Sequence, residues 1–162
     1  MVKKVKQKEG AQNKKRPYSI ENANTKKTPA ARENPDEYLR KNPVWAFSRC
    51  DMEHKKWSIT NHDFMNEIFK KLIDYERMTW QDIQSASGGK REGNGTNNHF
   101  ENVSELSKEA QERLIKLKLY DIDQLFSLRL GAKIRLYGIL KNGVFYILWY
   151  DREHEIYKTK KK

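Results

Sequence analysis

Hydrophobic positions are sparse and without period up to about Lys41, and beyond it they fall into two successive rhythms. Val44-Trp45-Ala46-Phe47-Ser48 has strand character, and Lys56-Trp57-Ser58-Ile59 can answer it across the polar Cys50–Lys55 turn as a hairpin partner. Thr60 or Asn61 can then cap a helix on which Phe64, Ile68 and Leu72, flanked by Met65, Phe69 and Ile73, recur at helical spacing. Thr79-Trp80-Gln81-Asp82 is a capping signal for a short helix ending near Ala86. Residues 85–98 are rich in Gly and Asn around Lys90-Arg91 and read as a flexible loop. Ser107 can cap a further helix whose apolar side is Ala110, Leu114 and Leu117, with Lys108, Glu112 and Lys116 toward water.

After the link Tyr120–Asp123 the period changes from helix to strand. Leu128, Leu130, Ile134, Leu136 and Ile139 are set among Arg and Lys, and Val144–Tyr150 is an almost unbroken run of β-formers. Asn142-Gly143 between these stretches is the strongest hairpin signal in the chain, because a type I′ turn needs positive φ at both central residues. Helices first and a meander last predict an α+β fold, with N-terminal helices packed on a twisted antiparallel sheet. The predicted organisation is a disordered basic arm over 1–41 and one domain over 42–162. Of Trp45, Trp57, Trp80 and Trp149, at least three are expected in the core.

Charge sharpens this picture. Lys and Arg number 33 against 22 acids in 162 residues, a net +11, with only 36% apolar residues. The excess sits at the two ends: +7 over 1–41 and +6 over 127–162, against −2 between them. Such cationic ends attract polyanions, nucleic acid above all. No apolar run approaches the ~18–20 residues of a spanning helix, and the basic N-terminus has no apolar stretch behind it, so neither membrane nor signal peptide is expected. A single cysteine, Cys50, predicts no disulfide and a reducing, cytoplasmic setting.

Candidate chemistry is narrow. Cys50, His54, His62, His99 and His154 show no zinc-ligand spacing, and the glycines of the 85–98 loop form no phosphate-binding motif, so neither a metal nor another cofactor is expected. Cys50 lacks a nucleophile signature and reads as a small buried residue. The C-terminal stretch says more. Strand alternation puts Lys133, Arg135, Tyr137 and Ile139 on one face, with Arg129 on the neighbouring segment, and that face is expected to be open to solvent. Beyond it come Arg152, His154, Glu155, Tyr157, Lys158, Lys160 and Lys161. Arginine can grip phosphate, and His, Glu or Tyr can move protons.

From Ser107 to Lys158 the chain resembles the RelE/ParE superfamily of bacterial toxins. Leu128-Arg129-Leu130-Gly131 through Arg135-Leu136-Tyr137 follows that family's "L-R-x-G-x-x-R-x-x-Y" stretch. Val144–Trp149 follows its aliphatic strand, and Glu155-Ile156-Tyr157-Lys158 its ending. Arg152 stands where members often carry His, and Glu153-His154 replaces a basic pair. The resemblance implies a RelE-like fold and, in the RNA-cleaving branch, a metal-independent endoribonuclease acting on mRNA at the ribosome. Arg135 would then stabilise the scissile phosphate, Tyr157, His154 or Glu155 would assist proton transfer, and Arg129, Lys133, Arg152, Lys158, Lys160 and Lys161 would bind RNA. The ParE branch shares the fold without cleaving RNA, so a non-catalytic RNA- or ribosome-binding module, or one that docks an acidic antitoxin-like protein, is the alternative expectation.

Overall fold

The computed structural model describes residues 34–61, 65–86 and 97–157. A 3-10 turn over Glu37–Arg40 comes first, and Tyr38 and Leu39 pack against the core, so the chain is already folded within the last residues assigned to the basic arm. Strand β1 (Val44–Ala46) comes next, then 3-10 and π turns (Ile59–Asn61, Met65–Phe69) leading into helix α1 (Lys70–Glu76) and helix α2 (Trp80–Ser85). Strand β2 (His99–Asn102), helix α3 (Lys108–Lys116) and strands β3 (Gln124–Arg129), β4 (Arg135–Lys141) and β5 (Val144–Asp151) follow among the described residues. The strands form one sheet in the order β1-β5-β4-β3-β2.

The fold class is α+β, as the sequence predicts, but the sheet is mixed. β3, β4 and β5 form the expected antiparallel meander, β2 adds antiparallel to β3, and β1 runs parallel to β5, with Val44 opposite Val144. A parallel neighbour needs a long crossover, which everything between β1 and β5 supplies. The expected partner of β1, Lys56–Ile59, is not a strand. His54 Nδ1 accepts hydrogen bonds from the backbone N–H of Lys56 and of Trp57, which closes the segment into a turn. That turn still covers the edge of β5 where β1 stops: Asp51 N–H donates to Leu148 O and Tyr150 N–H to Trp57 O.

Sequence signals hold where the chemistry is local. Asn142 and Gly143 take φ of 52° and 86°, as the type I′ turn requires. Thr79 and Asp82 form a reciprocal capping box on α2, and the Ser107 hydroxyl accepts from Ala110 N–H at the start of α3. The π turn ahead of α1 holds more residues than an α turn and shifts the helical phase of the residues after it. Ile68 and Leu72 are buried as expected, whereas Phe69 and Ile73 remain partly exposed at 43% and 38%; Phe64 lies outside the described residues.

Apolar side chains cover both faces of the sheet. On one, Ile68, Leu72, Trp80 and Ile83 of the helical segments meet Phe126, Leu128, Leu136, Phe145, Ile147 and Tyr150. The Trp80 indole donates to Gly143 O at 2.9 Å, tying α2 to the β4–β5 turn. On the other, Ala110 and Leu114 of α3 join Trp57, Leu106 and Ile156 over Leu125, Tyr137, Leu148 and Trp149. This second layer overturns the expectation of a solvent-exposed face. Tyr137 is fully buried, and Arg135 retains only 9% of its exposure. Trp57, Trp80 and Trp149 are buried, as expected for three of the four tryptophans, and Trp45 is partly buried.

No helix among the described residues is long and apolar enough to cross a membrane.

Candidate nucleic-acid interface

Strand register defines the site. On the face that α3 partly covers, Arg129 stands opposite Arg135, which stands opposite Asp151. One step along, His99 stands opposite Ser127, Ser127 opposite Tyr137 and Tyr137 opposite Trp149. Alternation keeps both rows on the same face. Toward α3 this face is apolar, and toward the β3–β4 turn it is polar and basic.

The two arginines are held by neutral groups. Arg129 donates from Nε to Gly131 O at 2.9 Å and from Nη1 to Asn97 Oδ1, while Arg135 Nη1 donates to Gly131 O and Ile134 O, each at 2.9 Å. Among the described residues neither forms an ion pair with a carboxylate. Burial, then the neighbouring Arg129 charge, lowers the pKa of Arg135, and Asp151 and the Tyr137 and Tyr75 phenols offset part of this. Asp151 is occupied elsewhere: its carboxylate accepts from the N–H groups of Glu155 and Ile156 and shapes the turn after β5.

The scaffold beneath is tight. Tyr75 of α1 donates its hydroxyl to Arg129 O at 2.6 Å. Asn98 accepts from Arg129 N–H at 2.7 Å and donates to Ile83 O at 2.7 Å. Asn98 is buried, so the end of the 85–98 segment is anchored; residues 87–96 lie outside the described residues.

The remaining predicted residues separate. Lys133 is exposed and 3.5 Å from Glu153, a surface pair that adds little stability. Arg152 is exposed on the turn after β5 and lines a shallow cavity with Lys55 and Lys56. His154 takes a positive φ, and its Nδ1 lies 2.7 Å from Tyr157 O. Glu155 is 3.5 Å from Lys56. Tyr157 packs against the α3-side core, and its pKa is raised by Glu101, then by partial burial and Glu105. Lys158, Lys160 and Lys161 lie outside the described residues. Burial pushes the Cys50 thiol up to about 11, so it stays protonated at neutral pH. No group of three or more His, Cys, Asp or Glu suited to a metal occurs among the described residues, and His62 lies outside them.

No protein family, curated protein or solved structure matches the chain.

Two arrangements have no clear sequence signal. Glu101 is a buried acid on β2 whose carboxylate lies 2.6 Å from His99 Nε2. His99-x-Glu101 is the i, i+2 spacing of one strand face, a signal hidden because four residues are too short to announce a strand. Asp51 and Arg113, 62 residues apart, form a bidentate pair at 2.6 and 2.7 Å that no sequence spacing could reveal.

Proposed function

We propose that this protein binds RNA by gripping backbone phosphate at the Arg129–Arg135 end of the sheet, and that it cleaves messenger RNA at the ribosome without metal. The observation that carries the reading is the cross-strand arginine pair, whose hydrogen bonds among the described residues go to carbonyl and amide oxygens alone. Two like charges side by side gain most from an anion that bridges them, and guanidinium forks match phosphate geometry. Exposed Lys133 and Arg152 and the cationic C-terminal stretch extend the attraction. The resemblance of Arg129, Arg135 and Tyr157 to the RelE pattern supports the step from binding to cleavage and a cytoplasmic site of action.

A non-catalytic RNA- or ribosome-binding module is the second reading. It is favoured by one observation: His154 and Glu155 already serve the backbone and Lys56. Mapping of mRNA 5′ ends in a bacterial host after brief induction separates the two. New ends inside reading frames are expected with the wild type and not with Arg135→Lys, which keeps the charge and loses the fork. Absence of new ends with the wild type leaves binding as the function.

Binding itself has a direct test. RNA affinity of the full chain is expected to fall tenfold or more between 50 and 200 mM salt if several phosphates are contacted. Lys133→Glu, at an exposed position, is expected to weaken binding and flatten that salt dependence without lowering the melting temperature. Salt-insensitive binding counts against the phosphate grip.

A further inference from the structure

We infer that the groove between β1 and α1 binds a small organic cation, an ammonium group carried on an apolar body. The groove lies on the opposite face of the sheet from the arginine row, so the inference is independent of the RNA reading. Asn42, just before β1, donates from Nδ2 to Glu76 O at 3.0 Å and to Met78 O at 3.2 Å. These bonds tie the C-terminal end of α1 to the start of the strand. The two elements border a cavity of about 430 Å³, within the range of small-molecule sites.

The lining changes character along its length. Glu76 stands at the tied end, and Phe69, seven residues earlier, lies about 10 Å away at a helical rise of ~1.5 Å per residue. Phe47, beyond the far end of β1, also borders the cavity, with Trp45, Leu72 and Ile73 between the two ends. Phe47 and Phe69 are both exposed, which leaves apolar surface for a ligand to cover. Of the described residues that line the cavity, Glu76 alone is charged, and its carboxylate forms no ion pair among the described residues. A chain of net charge +11 thus presents here a single anion among aromatic and aliphatic side chains. A carboxylate and aromatic rings both attract a cation, and Leu72 and Ile73 offer surface to the apolar part.

A second copy of the chain fits this groove poorly. β1 is an edge strand, and Val44 N–H already donates to Gly143 O, so alternation turns the Trp45 backbone groups outward. A copy pairing along that edge would centre on Trp45. Its own Trp45 ring is packed against Trp80 and Phe145, so it could not also fill the groove.

The test is an amide NMR titration of the full chain with three probes of similar shape: 2-phenylethylamine, 2-phenylethanol and 3-phenylpropionate. The amine is expected to shift the amides of residues 44–47 and 69–76 and to bind about fivefold tighter than the alcohol, with the carboxylate weakest. Glu76→Gln, at an exposed position, should erase the preference for the amine and leave the melting temperature unchanged. Phe69→Ala should weaken the amine and the alcohol alike. An amine that fails to bind, binds no better than the alcohol or shifts residues outside the groove overturns the site, as does a preference that survives Glu76→Gln. Tighter binding of Nα-acetyl-lysinamide than of 2-phenylethylamine would give the groove to a lysine side chain of a protein partner. Groove amides that move with protein concentration alone would give it to a second copy. Either result overturns the small-cation site.

Discussion

Arg113→Met is expected to destabilise the fold by about 3–5 kcal/mol, because it strands a carboxylate in the interior. Asp51 has 1% of its side chain exposed, and Arg113 meets it with two parallel hydrogen bonds. The Trp149 indole donates to the same carboxylate at 3.0 Å and Glu53 N–H at 3.2 Å. Burial acting alone would push the Asp51 carboxyl up; Arg113, Trp149 and the Glu53 amide reverse this and hold it down at about 2. Urea titration is the measurement, and the midpoint should fall with little change in slope. The double variant Asp51→Asn/Arg113→Met should recover much of the loss, since no buried charge then lacks a partner. A single variant as stable as wild type would show that water reaches Asp51.

The pH dependence carries a sign that separates the two proteins. In the wild type the folded carboxyl lies below its ordinary value of 3.8, so its contribution is complete above pH 4 and lost as pH falls toward 2. In Arg113→Met the dominant influence becomes burial, which favours the neutral acid. That variant should therefore gain stability as pH falls toward the ordinary carboxylate range, where the wild type is still unchanged, and should lack the wild-type loss below pH 4.

This ion pair shows why parts of the molecule are legible in the sequence and parts are not. The Thr79 box, the Ser107 cap and the Asn142-Gly143 turn depend on residues within four positions of one another, and each forms as its residues predict. The site depends on what lies above a strand, which alternation cannot say. Arg135 and Tyr137 do share a face, yet α3 and Ile156 cover much of it, so a residue expected to be open to solvent is nearly enclosed. Asp51, on a polar loop, and Arg113, on the amphipathic α3, each have an ordinary local role, and only the fold makes them partners. Likewise β1 announces itself as a strand, while its parallel neighbour is set by the whole intervening chain.

Gly138→Ala is expected to be the other severe variant, at about 3 kcal/mol, the upper part of the range for a methyl forced into packed space. For a folded region of this size that is a fall of about 10 °C in melting temperature. A Cβ on Gly138 would lie 2.2 Å from Tyr146 O and 2.9 Å from the Phe145 ring. The first is backbone of the neighbouring strand and the second a fully buried side chain, so neither can step aside cheaply. Gly143→Ala supplies the contrast. Its φ of +86° carries a penalty of ~1–2 kcal/mol, but its Cβ would meet nothing nearer than 3.6 Å. The cause at Gly138 is the irregularity between β4 and β5: Tyr137 pairs with Trp149, and Gly138 with Ile147, leaving Leu148 without an opposite residue. The extra residue sends Leu148 and Trp149 to the same face, against α3, where Trp149 reaches Asp51. Beyond it, the shifted phase puts Asp151 beside Arg135. A methyl that pries the strands apart at Gly138 should therefore loosen the arginine row as well as the core, and RNA affinity should fall further in Gly138→Ala than in Gly143→Ala even at temperatures where both remain folded.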